Sequence, residues 1–187
     1  MRGSCFITFL PSIEEDIKKE EHMPYEIIHF RDADKILKSK KMEKDVLATL
    51  DYIGDALYGS LHRGELLKQA LEEMDWRRND EALIILDGRR YRFKGFKKGV
   101  AIEANFSAYE FLLEGLVRLQ IGYDKKKIDS GILLLTCLRS EKTPYGSTRK
   151  MAEEDIQNLS PTISLPVSIA LFDLGKPVIP EETIGSE

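Results

Sequence analysis

The stretch Val100–Phe111, which reads VAIEANFSAYEF, decides the fold assignment of this sequence. Apolar and polar residues alternate over its first half, which is the pattern of a β-strand with one buried face. Successive side chains of a strand point to opposite faces. Val100 and Ile102 are therefore predicted on one face, and Glu103 and Asn105 lie together on the other.

The polar pair on this strand is a candidate metal site. The carbonyl of Ala104 lies between the Glu103 carboxylate and the Asn105 amide. Oxygen ligands of these kinds suit Mg²⁺. The spacing E-x-N is also frequent by chance, so on spacing alone a solvent-facing strand edge is the better interpretation.

The flanking sequence predicts an α/β fold. Upstream, Asp87-Gly88 is a dipeptide suited to a tight turn between two strands. The remaining patterns predict strands at 25–30, 82–86, 89–96, 100–106, 132–136 and 167–171, and helices at 34–58, 65–75, 108–121 and 151–159. This mixture of strands and helices predicts a mixed central β-sheet flanked by helices.

Length and composition indicate one folded domain. The chain has 187 residues, 42% of them hydrophobic and 32% charged, which suffices for a single core. We assign residues 23–175 to this domain, 1–22 to an N-terminal appendage and 176–187 to a loose C-terminal tail. No apolar run approaches the roughly 20 residues that span a bilayer, and no signal-peptide pattern is present. We therefore expect a cytoplasmic protein without membrane association.

The distribution of charge favours a basic surface. The net charge is −4, which gives no overall case for nucleic-acid binding. However, the run from Arg89 to Lys98 contains six basic residues and no acid, and four more basic residues lie between 139 and 150. An acidic protein can still present such a face to phosphates. A solvated charged hairpin is the alternative interpretation.

Five segments, in their order along the chain, resemble the BglII/BstYI group of type II restriction endonucleases, which have the PD-(D/E)xK nuclease fold. They are YEIIHFRDADKIL (25–37), LLKQALEEMDW (66–76), KKGVAIEANFSAYEFL (97–112), KIDSGILLLT (127–136) and LPVSIALFDLG (165–175). The resemblance implies a restriction-endonuclease-like α/β fold. It also implies Mg²⁺-dependent hydrolysis of phosphodiester bonds in double-stranded DNA at a short palindromic site. A homodimer would read such a site, each subunit cutting one strand. The helix at 34–58 is a candidate dimer surface, although burial in the chain's own core is the plainer explanation of its apolar stripe.

The resemblance also implies roles for individual residues. Glu103 and the Ala104 carbonyl would be metal ligands, and Asn105 would lie near the attacking water. Ser107 follows the motif at a position that reads bases in the family. The loop after the strand at 132–136 would enter the major groove and supply further DNA contacts, from Ser140, Lys142, Tyr145, Ser147, Thr148 and Arg149, side chains that suit base edges.

Lys94 departs from the family pattern, which has a metal-binding aspartate at this position. With a turn at 96–99, Lys94 lies nearly opposite Glu103 on the same face of the hairpin and can form an ion pair with it. In one hypothesis, Asp87 or Glu65 supplies the missing metal-binding acid, and Lys94 supplies the cation that Asn105 cannot. The protein is then an active endonuclease. In the other hypothesis, the site is inactive and the protein binds DNA without cleavage, or docks a partner through residues 1–22.

Overall fold

The computed structural model describes residues 25–137 and 147–178. Within these ranges the strands are β1 (Tyr25–Phe30), β2 (Gly95–Lys97), β3 (Val100–Asn105), β4 (Ser130–Thr136) and β5 (Val167–Phe172). The helices are α1 (Ala33–Ser39), α2 (Glu43–Leu57), α3 (Arg63–Glu73), α4 (Leu112–Asp124) and α5 (Ser147–Asn158), with a 3-10 turn at Tyr109–Phe111 before α4. The strands form one mixed sheet flanked by helices, as predicted.

The order of the strands in the sheet is β1-β5-β4-β3-β2. The three central strands, β3 to β5, run parallel, and the two edge strands pair antiparallel. All seven residues of β4 are buried, as expected for a parallel strand covered on both faces. In the register of β3 on β4, Glu103 lies beside Leu133, so an acidic residue stands next to the most apolar strand of the sheet.

Each face of the sheet carries its own hydrophobic core. On the face that we call the α2 face, Val100 and Ile102 pack with Trp76 and with residues of α2 and α3. On the opposite α4 face, Ala101 and Leu133 pack with residues of α4 and α5. The alternation along β3 therefore turns Glu103 toward α4, which confirms the predicted facing of this strand.

The predicted hairpin of strands at 82–86 and 89–96 is much shorter than expected. The two segments pair at one antiparallel bridge, between Ile84 and Arg92. Two backbone hydrogen bonds flank this bridge, from the Ile85 amide to the Tyr91 carbonyl and from the Phe93 amide to the Leu83 carbonyl. Leu83 and Phe93 are buried in the core, so the segment packs inward beyond this short pairing, and the strand that joins the sheet is limited to Gly95–Lys97.

The predicted helix at 34–58 is in fact two helices. Between α1 and α2, Lys41 has a left-handed backbone (φ 55), and Met42 is fully buried, with its amide bonded to the Leu37 carbonyl. Burial of Met42 compensates for breaking the helix. The apolar stripe of α2 is buried in the chain's own core, which is the plainer of the two explanations given for it from the sequence.

The proposed domain boundaries are only partly accessible in the structure. Residues 1–22, interpreted as an appendage, lie outside the described residues, as does the tail beyond Val178. At the start of the tail, the Val178 amide donates to the Gly59 carbonyl. Among the helices of residues 25–137 and 147–178, none has the length and apolar character needed to cross a membrane.

Candidate functional site

A cavity of about 80 Å³ lies where the end of β3 meets α4. Its polar lining comes from the loop before β2, from β3 and from α4: Lys94, Glu103, Ala104, Asn105, Glu114 and Arg118. Apolar contacts with Phe111, Gly115 and Leu133 complete the wall. The space is sufficient for several water molecules. Four of the residues singled out from the sequence therefore share one cavity.

Glu103 is the most buried polar group of the cavity, with only 3% of its surface exposed. Its Oε1 lies 3.3 Å from Nε of Arg118, so the two form an ion pair. The geometry is not that of a hydrogen bond, and both atoms lack a hydrogen-bond partner among the described residues. Burial raises the pKa of Glu103 to about 7, although the positive charges of Arg118 and Lys94 act in the opposite direction. The buried Oε1 of Glu103 therefore makes no hydrogen bond, and its neighbour is the Arg118 guanidinium.

Arg118 joins three parts of the fold around Glu103. Its Nη2 donates to the Arg92 carbonyl at 2.6 Å, and its Nη1 lies 3.6 Å from the Glu114 carboxylate one turn earlier on α4. Neither Arg118 nor Glu114 was predicted from the sequence as a site residue. The only local signal was their spacing of four residues, which places them on one face of a helix but does not show that this face meets β3.

Lys94 stands opposite Glu103, as the turn geometry predicted. Gly95 pairs with Ile102, and the Lys94 amide donates to the Ile102 carbonyl at 2.9 Å. The Lys94 carbonyl accepts a hydrogen bond from Arg77. The backbone of Lys94 is therefore held on both sides. Its ammonium, by contrast, makes no hydrogen bond or ion pair with any residue in 25–137 or 147–178.

Asn105 has a fixed orientation at the end of β3. Its side-chain oxygen accepts a hydrogen bond from the Ser107 amide at 2.9 Å, so the amino group is the part that remains for a ligand. An amide nitrogen can donate a hydrogen bond but carries no positive charge. Ser107 itself is exposed beside the site, and its contact with bases stays a prediction.

The two alternative acids do not reach the cavity. Asp87 is on the surface and pairs with Lys127 at 2.8 Å, which lowers the pKa of Asp87. Glu65 lies in the first turn of α3, which packs on the α2 face, behind the strand that carries Glu103. Asp87 was expected near Glu103 because a hairpin was predicted. Because the two segments pair only at one bridge, Asp87 lies at the exposed turn between them and does not line the cavity around Glu103.

The loop predicted to enter the major groove is only partly described. Ser140, Lys142 and Tyr145 lie outside the described residues. Ser147 to Arg149 belong to the first turn of α5 rather than to the loop. Their predicted placement in the loop is wrong, because the helix begins earlier than its apolar pattern indicated, and their contacts with DNA stay a prediction.

Thr148 and Arg149 have structural partners at the start of α5. Thr148 is buried, and its hydroxyl donates to the Cys137 carbonyl at 2.9 Å. This bond ties α5 to the end of β4, so Thr148 is not presented to bases. Arg149 is exposed, and its guanidinium forms ion pairs with Glu26 and Glu153.

The cavity offers few hard oxygen ligands to a metal ion. Oε1 of Glu103 makes no hydrogen bond but is ion-paired with Arg118, and Ala104 lines the same cavity. Mg²⁺ in proteins is held by one or two carboxylates and completes its shell with waters and substrate oxygens. In the described ranges, 25–137 and 147–178, no cluster of three or more histidine, cysteine, aspartate or glutamate residues could hold a metal.

Comparison with solved structures identifies the fold. No protein-family model and no curated protein matches the sequence significantly. A crystal structure of the restriction endonuclease BglII complexed with a DNA 16-mer matches with a TM-score of 0.55 at 15% identity, covering 80% of this chain and 76% of that chain. Free BglII matches with a TM-score of 0.49 at 19% identity, covering 81% and 80%. The chain thus has the restriction-endonuclease fold to which its sequence motifs pointed.

Proposed function

We propose that this chain is an endonuclease that hydrolyses phosphodiester bonds of double-stranded DNA in the presence of Mg²⁺. One observation carries the proposal: on a sheet of the restriction-endonuclease fold, Glu103, the Ala104 backbone, Asn105 and Lys94 converge on one cavity. The solved BglII complex with a DNA 16-mer supports double-stranded DNA as the substrate. We further propose that the cut site is a short palindrome, read by a homodimer.

Some residues of the cavity would bind the Mg²⁺ ion, and others would bind the phosphate. Glu103 and the Ala104 carbonyl would hold the Mg²⁺. When bound, the ion supplies a water of lowered pKa and neutralises charge on the phosphate. Lys94 presents an ammonium to the same phosphate. The Asn105 amino group donates a hydrogen bond that orients a phosphate or water oxygen.

Cleavage of supercoiled plasmid tests this proposal. We expect nicked and linear DNA with Mg²⁺, none with EDTA, and a loss of at least about a hundredfold in Glu103→Gln. Asp87→Asn and Glu65→Gln are matched controls that also remove one carboxylate. Both should cut like the wild type, because neither acid lies in the cavity. Loss of cutting in either control, with cutting retained in Glu103→Gln, would contradict the assignment.

A second candidate function is DNA binding without cleavage. The ion pair of Arg118 with Glu103 favours it, because the guanidinium lies against the carboxylate that would hold the metal. In that case folded wild-type protein binds duplex DNA but leaves plasmid intact with Mg²⁺ and with Mn²⁺. Binding without cutting therefore selects this candidate, and discrete cutting excludes it.

A further inference from the structure

The cavity is lined by as many basic as acidic side chains. Glu103 and Glu114 supply two carboxylates, and Lys94 and Arg118 supply two positive charges. Arg118 lies within 3.6 Å of both carboxylates. One guanidinium thus offsets much of the negative charge in the cavity. The ammonium of Lys94 interacts with Glu103 only at a distance and makes no ion pair or hydrogen bond with the described residues.

The surroundings of Lys94 give its ammonium a defined place. Bonds from its amide to Ile102 and from Arg77 to its carbonyl fix the backbone. The residue is exposed, yet it lines the cavity. Asn105 lines the same cavity and keeps its amino group for a ligand. An ammonium and an amide N–H around one small space are a donor set for the oxygens of a phosphate.

We propose that Lys94, together with Asn105, is a phosphate-binding subsite that docks a DNA phosphodiester at Glu103 without any divalent cation. This inference rests on the proposed function, because it takes DNA as the ligand. A cavity lined by carboxylates alone repels a phosphate until a metal ion neutralises them. Here Lys94 and Arg118 neutralise the carboxylates of the cavity, so the phosphate can bind before any metal ion does.

Titration of a random-sequence duplex pool in EDTA and in Ca²⁺ tests the subsite. We expect the wild type to bind with affinities that agree within about twofold in the two buffers. Lys94→Met should weaken binding in EDTA by about five- to tenfold and lower the slope of log affinity against log salt by about one. Lys94→Arg, which keeps the charge, should restore most of the affinity.

Lys44→Met is the matched control, since Lys44 is an exposed lysine on α2, over the opposite face of the sheet. It should bind DNA like the wild type. Lys94→Asp is a second test variant. It places a carboxylate opposite Glu103, so binding should be lost in EDTA and recovered in Ca²⁺.

The outcomes separate this inference from the proposed function. Wild-type binding that requires Ca²⁺, or unchanged binding by Lys94→Met in EDTA, would overturn the subsite and leave a DNA-binding enzyme. An absence of binding by the wild type in both buffers would overturn the proposed function and the subsite together.

Discussion

Burial of the Glu103 carboxylate makes its ionisation depend on the fold. The group is almost fully enclosed, and its pKa rises to about 7 because burial outweighs the attraction of Arg118 and Lys94. A carboxyl that titrates near neutrality is unusual, and such groups concentrate at functional sites. Near neutral pH the Glu103 carboxyl is therefore neither fully ionised nor fully protonated.

The first prediction concerns the stability of the metal-free protein as a function of pH. Between pH 4.5 and about 7 the native state retains a proton on Glu103 that the unfolded chain has released. The free energy of unfolding therefore falls as pH rises through this window. Glu103→Gln lacks this titration. Between pH 4 and pH 8, the free energy of unfolding should fall by up to about 3 kcal/mol more in the wild type than in Glu103→Gln.

Urea denaturation in EDTA at the two pH values measures this difference. Equal pH dependence in the wild type and Glu103→Gln would contradict a raised pKa at this position.

At the scale of elements, the site exists because α4 lies close to the sheet. Gly115 is the point of closest approach, since an added Cβ there would clash with Cδ1 of the buried Leu133. This contact brings Glu114 and Arg118 over Glu103. A glycine inside a helix ordinarily costs stability, so its presence here is explained by packing.

The second prediction compares two glycine substitutions in helices. Gly115→Ala should destabilise the protein by about 1 kcal/mol, because overpacking against Leu133 outweighs the gain in helix propensity. Gly64→Ala on α3 is the matched control, since nothing lies within 4 Å of its added Cβ. It should stabilise the protein by up to about 1 kcal/mol. Thermal unfolding measures both, and effects of the same sign would contradict the close-packing account.

The elements that could be predicted are those determined by their own local sequence pattern. The strands at Tyr25–Phe30 and Ser130–Thr136 follow from apolar runs and alternation. The break at Lys41 and the inward packing of Leu83 depend instead on burial against distant elements. Local sequence patterns therefore predicted a longer helix and a longer hairpin than the structure has.

The same distinction applies to the site. Lys94 and Glu103 could be paired from the sequence because a short turn fixes their register. Arg118 could not be assigned to Glu103, because that contact depends on how α4 packs across β3. Asp87 was placed near Glu103 only on the assumption of a hairpin, and its ion pair with Lys127 shows where it lies instead.

At the scale of the whole molecule, α4 presents an uncovered apolar face. Leu113 and Val117 are 50% and 42% exposed. With Tyr91 they line a groove of about 670 Å³ beside the 85–91 segment. Two copies facing each other across a two-fold axis would bury this surface and match the symmetry of a palindromic DNA site. This face is therefore the interface expected for the homodimer proposed above.

The third prediction concerns the oligomeric state. The double variant Leu113→Glu/Val117→Glu should raise the dimer dissociation constant at least about tenfold while leaving the fold intact. Leu61→Glu, at a similarly exposed leucine (53%) outside this face, should remain dimeric. Sedimentation velocity distinguishes the states. A monomeric wild type, or a double variant that stays dimeric, would contradict this interface.

Cleavage of duplex DNA at the Glu103 cavity is tested most directly by sequencing the DNA ends that digestion of genomic DNA leaves. With Mg²⁺, we predict that the ends share one short palindromic sequence and that they disappear with Glu103→Gln. Ends of random sequence, the same ends from Glu103→Gln, or no ends from wild-type protein that binds the DNA would contradict it.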